Sequence, residues 1–367
     1  MTEPKGDAPR AFPITGRADA LRRAGLLSRI ARRTRATTEI VVPALPSMVP
    51  HYVDMLADQF ASIGRPFSNT DLAKLGDLLA EKAAEGFAQS PYSNLFIRYG
   101  AANDGTLRVD YAVAAATSSI AEEYAHWVTT REPPLFGKDP DARLIAALDE
   151  LAIPTSARCL DVGAGTGRNT LPLARRGHPV VALEPAPALA DVLEAAIAAE
   201  DLRVSVVRAD VLAGSLELPA GGFALALASQ VTSHFRGPED LRSLLATLAA
   251  ALAPGGHALV NAFMPVGGYV PDRATREASQ VFWSTIHTRA ELDAALDGLP
   301  LRLLSDEDAL AFERAHQPPE SWPPTSWYEP WARGEDLFGE LASPSISLRW
   351  LLFRREPAAL SRPSGSG

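Results

Sequence analysis

The stretch from Arg158 to Asn169 constrains the fold of this chain more than any other. An apolar run ends at Asp161, three glycines then alternate with small residues, and a helical pattern follows Gly167. This order predicts a strand, a tight turn and the start of a helix. Glycine tolerates positive φ and lets the backbone approach a ligand closely, and a new helix offers unpaired N–H groups. The stretch therefore predicts a ligand-binding loop.

The spacing of the glycines excludes two kinds of ligand loop. A dinucleotide fingerprint, G-x-G-x-x-G counted from Gly163, would require glycine where Arg168 stands. A P-loop requires Lys followed by Ser or Thr, but the chain has Arg168-Asn169. The pattern that remains is D-x-G-x-G-x-G, from Asp161 to Gly167.

This pattern resembles motif I of the class I S-adenosylmethionine (SAM) dependent methyltransferases, and the resemblance extends over about residues 139–355. Apolar strand patterns alternate with helical patterns from 158 to 262, which indicates a parallel sheet with right-handed crossovers. The expected fold is α/β, a doubly wound, mostly parallel seven-stranded Rossmann-like sheet. The resemblance implies a last strand, Ile346–Phe353, lying antiparallel beside the fifth. Asp139 is the expected N-cap of the helix that opens this core.

Three acidic residues follow three successive predicted strands, where a doubly wound sheet holds its ligand. The resemblance implies that Asp161 holds the methionine ammonium, that Glu184 accepts from both ribose hydroxyls, and that Asp210 accepts from the adenine amino group. The expected cofactor is SAM and its product S-adenosylhomocysteine (SAH). The further residues expected to bind the cofactor are Gly163, Ala164, Gly165, Gly167, Pro185, Val211 and Ser229.

Composition limits the partners and the location. The formal net charge of −9 argues against a nucleic-acid partner. The single cysteine, Cys159, excludes internal disulfides and cysteine-ligated zinc, and no metal site is expected. No apolar run could span a bilayer and no signal peptide is visible, so we expect a cytoplasmic enzyme without a membrane partner. The oligomeric state stays open.

Four regions are expected along the chain. Residues 1–37 form a basic arm, expected to be flexible, with a docking segment as the alternative. Residues 38–137 form a helical cap with a β-hairpin around Asn103-Asp104-Gly105. Residues 138–356 form the methyltransferase-like core, and 357–367 a flexible tail.

The methyl acceptor is less constrained by the sequence. His234 follows the fourth core strand and is the candidate general base, since its ordinary pKa suits neutral pH. That loop lacks the Asn/Asp-Pro-Pro-Tyr/Phe signature of DNA methyltransferases. The candidate substrate contacts are aromatic: Tyr92, Tyr99, Tyr124, Trp127 and Tyr269. The Pro- and Trp-rich segment 317–331 is expected to be a lid or an interface, with simple packing as the alternative.

Three functions are compatible with these features. The first is methyl transfer to an oxygen or nitrogen of a small molecule or natural-product intermediate. The second is a peptide or protein methyltransferase that recruits its substrate through the N-terminal region. The third is a SAM-binding protein without catalysis.

Overall fold

A computed structural model describes residues 17–33, 35–36, 39–101, 109–214, 216–341 and 343–357 of the chain. The predicted turn at 103–105 and all but the first residue of the predicted tail at 357–367 lie outside these residues. Within them, no helix is both long enough and apolar enough to cross a bilayer.

The N-terminal region combines helices with a small antiparallel sheet. Its elements are α1 (Arg17–Arg33), β1 (Arg35–Ala36), β2 (Glu39–Pro43), α2 (Val49–Ser62), α3 (Asn69–Gln89), β3 (Asn94–Ala101), β4 (Val109–Ala116) and α4 (Ile120–Thr130). The four strands pair in the order β1-β2-β3-β4. The expected hairpin is therefore part of a larger sheet, because Ile40 pairs with Ile97 as β2 adds to the edge of β3.

The second region is the predicted Rossmann-like core. Its strands are β5 (Cys159–Val162), β6 (Val180–Leu183), β7 (Val204–Val207), β8 (Phe223–Ala228), β9 (Leu252–Pro265), β10 (Leu301–Asp308) and β11 (Ile346–Arg355). Its helices are α5 (Ala142–Glu150), α6 (Thr170–Arg175), α7 (Pro187–Glu200), α8 (Pro238–Ala251), α9 (Arg273–Val281), α10 (Arg289–Leu296), α11 (Ala309–His316), α12 (Tyr328–Ala332) and α13 (Glu335–Phe338). The strand order β10-β11-β9-β8-β5-β6-β7 confirms the seven-stranded sheet.

The strand register places the ligand loops at one edge of this sheet. β5 pairs in parallel with β6 and β8, so Val162 lies beside Leu183 and Ala228 at the carboxyl ends. β11 lies antiparallel beside β9, as the resemblance implied. The switch in strand order on either side of β5 opens a crevice above these ends.

Two local expectations need correction. The first core helix begins at Ala142 with Asp141, not Asp139, at the N-cap position, because side chains of the glycine-loop region bind Asp141. The sequence Pro254-Gly255-Gly256, whose composition predicts a turn before a separate strand, does not form one. It is a bulge within β9, where the register against β8 shifts.

The basic arm is helical over Arg17–Arg33, which differs from the flexible arm that we expected. Leu26 and Ile30 are 2% and 1% exposed, because the apolar face of α1 packs on the body of the protein. At Gly25 a Cβ atom would overlap the carbonyl oxygen of Phe338 in α13. The helix therefore approaches its neighbour at backbone distance.

The Pro- and Trp-rich segment is more ordered than an irregular connection. Tyr328 and Trp331 of this segment are buried, and the indole N–H of Trp331 donates to the carbonyl oxygen of Trp283 at 2.8 Å. Trp322 and Trp327 pack partly buried against the same core. The segment thus contributes to packing as well as to the cavity described below.

Candidate active site

A cavity of about 220 Å³ lies above the carboxyl ends of β5, β6 and β8 and is called here the cofactor cavity. The residues predicted to bind the cofactor that line it are Gly163, Ala164, Gly165, Glu184, Pro185, Asp210, Val211 and Ser229. Asp161 and Gly167 do not line it. The structure therefore brings together most of the residues that sequence spacing singled out.

The glycines of the loop meet conformational and packing requirements. Gly163 has φ +69°, and a Cβ atom there would lie 2.6 Å from the Cγ2 atom of Val231. Gly167 has φ +97° and packs against Leu171 and Leu193, so it serves the turn and not the cavity wall. Positive φ at these positions is strained for other residues, which explains the glycine pattern.

Glu184 ties the second strand to the loop. One carboxylate oxygen accepts from the N–H of Gly165 at 2.7 Å and the other from the N–H of Ala186 at 2.8 Å. Burial raises its pKa, while these two hydrogen bonds oppose the rise. Each carboxylate oxygen can accept more than one hydrogen bond, so Glu184 keeps acceptor capacity toward the cavity.

Asp161 lies under the loop and is 2% exposed. Its carboxylate accepts from the hydroxyl of Thr170 at 2.6 Å. Burial raises the pKa of Asp161 to about 7 despite this bond. A cationic group placed near Asp161 would favour the ionised carboxylate.

A buried polar network that the sequence did not indicate supports the loop from the side. The carboxylate of Asp141 accepts two hydrogen bonds from the guanidinium of Arg168, at 2.5 and 3.1 Å. It also accepts from Asn169 at 2.8 Å and from the hydroxyl of Ser229 at 2.7 Å. Asp141 thus joins the start of α5, the residues after the glycine loop and the end of β8. No local pattern marks it, because its partners are distant in sequence.

A second and larger cavity of about 710 Å³, called here the acceptor chamber, adjoins the first. Residues of α1, the small sheet, α4, the loop after β8 and the Pro- and Trp-rich segment line it. Four residues line both cavities: Tyr124, Phe136, Gln230 and His234. These four residues form a shared wall, where a group in one cavity can meet a group in the other.

His234 occupies the shared wall between two phenols. Its Nδ1 lies 3.2 Å from the hydroxyl of Tyr92 and its Nε2 lies 3.0 Å from the hydroxyl of Tyr124. The ring also packs edge-on against Trp283 at 5.5 Å between centroids. Burial lowers the pKa of His234 to about 4, so the imidazole is neutral at pH 7. One nitrogen then accepts a hydrogen bond while the other donates one.

Only some of the predicted substrate residues lie here. Trp127 lines the acceptor chamber with Tyr124, and Tyr92 contacts His234. Tyr99 and Tyr269 line neither cavity, which corrects their assignment. Tyr99 packs on Phe60 within the N-terminal region. Tyr269 packs on Phe338, and the guanidinium of Arg22 lies over its ring. Aromatic side chains of one type cannot be assigned to core or cavity before the packing is known.

Gln230 and Trp283 also line the chamber, although they were not among the predicted site residues. Both have positive φ, +61° and +53°, although neither is glycine. Such strain persists where the surrounding structure holds the residue in place, and it is concentrated at functional sites. The backbone geometry therefore adds both residues to the candidate site.

Comparison with known proteins gives the family context. Residues 159–256 match the family described as "Methyltransferase domain". Uncharacterized methyltransferases of Mycobacterium bovis and Mycobacterium tuberculosis are 49% identical over 51 residues, which are 14% of this chain and 21% of each relative. The match therefore spans about a fifth of the length of these curated relatives.

Solved structures resemble the chain over a wider range. The geranyl diphosphate C-methyltransferase from Streptomyces coelicolor A3(2), in complex with Mg²⁺, geranyl diphosphate and SAH, is 16% identical with a TM-score of 0.44. The alignment covers 65% of this chain and 100% of that one. A geranyl diphosphate methyltransferase in complex with SAM is 17% identical with a TM-score of 0.46, over 59% of this chain and 85% of that one.

Proposed function

We propose that this protein, whose residues 159–256 match the methyltransferase domain family, transfers a methyl group from SAM to an oxygen or nitrogen nucleophile of a small molecule. The observation that carries the proposal is the shared wall. The cofactor cavity and the acceptor chamber meet at Tyr124, Phe136, Gln230 and His234. Methyl transfer is an in-line displacement, so donor and acceptor must meet across such a boundary.

The residues of the cofactor cavity fit an amino-acid nucleoside. Gly163, Ala164 and Gly165 line the cavity with backbone and at most a methyl group, so a ligand can approach the loop closely. Glu184 and Asp210 offer carboxylate oxygens at the ends of neighbouring strands, suited to ribose hydroxyls and an adenine amino group. Asp161 does not line the cavity, so its negative charge would act on a ligand ammonium from below the loop without direct contact. Bound SAM would supply an electrophilic methyl group on a sulfonium.

The residues of the shared wall would handle the proton of the acceptor. A hydroxyl acceptor must lose its proton as the new bond forms, and a neutral imidazole can take it. The hydroxyls of Tyr92 and Tyr124 engage both nitrogens of the His234 ring, so the proton would reach His234 through the Tyr124 hydroxyl. Tyr124 and Phe136, packed edge-on at 5.9 Å, help to exclude water from the boundary.

A small molecule is favoured over a peptide because the N-terminal helix is engaged with its own chain. Leu26 and Ile30 of α1 are buried, and Arg29 of the same helix lines the acceptor chamber. A helix held in this way forms part of the chamber wall. It is not a free arm for recruiting an acidic peptide. The cavity volume of about 710 Å³ also suits a drug-sized acceptor.

The test is SAM-dependent methylation of a panel of phenols, carboxylic acids and amines, followed by mass spectrometry. His234→Gln should slow transfer to a hydroxyl acceptor by about a hundredfold or more, while SAH affinity measured by calorimetry stays unchanged. His126→Gln, at an exposed position of α4, is the matched control and should keep full activity. SAH binding without methylation of any panel member would instead favour a non-catalytic SAM-binding protein.

A further inference from the structure

The acceptor chamber has a wall of aromatic rings. The rings of Trp127 and Trp283 lie 4.5 Å apart between centroids at an interplanar angle of 37°, and Trp327 and Trp331 lie along the same chamber. Large aromatic surfaces bind planar rings through stacked and edge-on contacts. The body of a matching ligand is therefore aromatic.

The guanidinium of Arg131 packs against this aromatic wall. Arg131, directly after α4, places its Cζ atom 3.5 Å from the ring centroid of Trp127, and it lines the chamber. Burial lowers the pKa of Arg131. Within the part of the chain that the structure describes, it makes no ion pair, unlike the buried guanidiniums of Arg143 and Arg168. Arg131 is nevertheless an exposed residue, so its guanidinium is free to reach a ligand in the chamber, and a cation without a counter-ion favours an anionic ligand.

A second guanidinium enters the chamber from another element. Arg29 of α1 lines it and likewise makes no ion pair with a described residue. Glu335 is near enough to Arg29 to feel its charge, but the Glu335 carboxylate already lies 3.9 Å from Arg333. Arg29 thus adds positive charge to the chamber.

The carboxylates of the chamber do not neutralise these cations. Glu123 accepts from the hydroxyl of Ser118 at 3.1 Å. Asp336 has an interaction partner of its own, and neither carboxylate forms an ion pair with Arg29 or Arg131 among the described residues. The chamber therefore has two guanidiniums that no described carboxylate pairs with, and both can bind an anionic ligand.

We propose that the acceptor is an aromatic molecule bearing a carboxylate, which packs against the edges of the Trp127 and Trp283 rings and binds the guanidinium of Arg131, with Arg29 contributing. This inference rests on the proposed function, because it names the chemical class that the same chamber takes. The arginine–carboxylate pair can form two parallel hydrogen bonds, which would fix the orientation of the ring against the shared wall.

The experiment measures probe binding and does not depend on turnover. Equilibrium dialysis of the full chain, with and without saturating SAH, gives the affinities of 1-naphthoate and of its neutral isostere 1-naphthamide. Wild type should bind 1-naphthoate about tenfold more tightly, the usual scale of one charge-assisted pair. Arg131→Met should remove that preference while leaving 1-naphthamide unchanged, and Arg131→Lys should keep part of it.

The matched control is Arg203→Met, an exposed arginine between α7 and β7 that lines neither cavity. It should preserve the preference for 1-naphthoate. Equal binding of the two probes, binding of neither, or tighter binding of 1-naphthylmethylamine would each overturn the inference. A protein that prefers 1-naphthoate yet fails to bind SAH would contradict the proposed function instead, so the two failures are distinguishable.

Discussion

Replacing Asp141 by alanine tests the network that fixes the glycine loop. The Asp141 side chain is 3% exposed and that of Arg168 is 7% exposed, so both charges are buried. The carboxylate accepts four hydrogen bonds, two from Arg168 and one each from Asn169 and Ser229. Removing one partner of a buried ion pair strands the other charge, which costs about 3–5 kcal/mol. We therefore expect Asp141→Ala to lower the free energy of unfolding by that amount.

The assay is urea denaturation followed by tryptophan fluorescence, with Asp149→Ala as the matched control. Asp149 pairs with Arg176 at 3.4 Å, but both side chains are exposed, so its loss should cost less than about 1 kcal/mol. Adding Arg168→Met to Asp141→Ala should recover part of the stability, because the stranded charge is then removed. If Asp141→Ala lowers the free energy of unfolding no more than the control does, the buried Asp141 network does not stabilise the fold as we expect.

Three other predictions concern pH and the docking of the N-terminal helix. The pKa of Asp161, raised by burial to about 7, lies above its ordinary value, so the folded state binds the extra proton. Stability should fall as pH rises from about 4 to about 7, and Asp161→Asn should flatten that part of the urea-denaturation profile. His234 should stay neutral from pH 5 to 8 in nitrogen-15 NMR, since burial lowers its pKa to about 4; titration near its ordinary value would contradict its burial. Gly25→Ala should displace α1 and speed its cleavage in limited proteolysis, because the new Cβ meets the Phe338 backbone. Gly76→Ala, whose Cβ finds only an ordinary contact, should leave the cleavage rate unchanged.

Features with local causes were predictable from the sequence. Pro187 opens α7, which ends at Glu200 as its helical pattern indicated. The capping box of Thr288 and Glu291 is present, with hydrogen bonds in both directions. The glycine loop was predictable because glycine tolerates the positive φ values of a tight turn, and this depends only on the residues of the loop. In each case the information lies within a few residues.

Features that depend on distant partners were not predictable in this way. The strand Glu39–Pro43 was missed because its pairing with Asn94–Arg98 is what makes it a strand. Asp141 lies 27 residues before Arg168 and 88 before Ser229, so only the fold reveals their network. No sequence pattern distinguishes Tyr124 from Tyr99. Only the packing shows that Tyr124 lies in the shared wall and Tyr99 in the N-terminal region.

The docked helix complicates a test of the N-terminal region as a recruiting arm. Deleting residues 1–37 should lower substrate affinity if that region recruits the substrate, and unchanged affinity would exclude recruitment. In the structure the deletion removes Arg29 from the wall of the acceptor chamber. Lower affinity would then follow from either role. Substitution of Arg29 by methionine, which leaves Leu26 and Ile30 docked, separates the two.

We propose that the cavity above β5, β6 and β8 holds SAM against the shared wall. Titration calorimetry with SAH on wild type and Glu184→Ala tests this placement. Glu184 accepts hydrogen bonds from the loop and faces the cavity, so its loss should weaken binding by about 1–3 kcal/mol. Glu200→Ala, at an exposed ion pair with Arg175, should bind SAH as wild type does. Absence of SAH binding to wild type, or equal affinity for Glu184→Ala, would contradict the account.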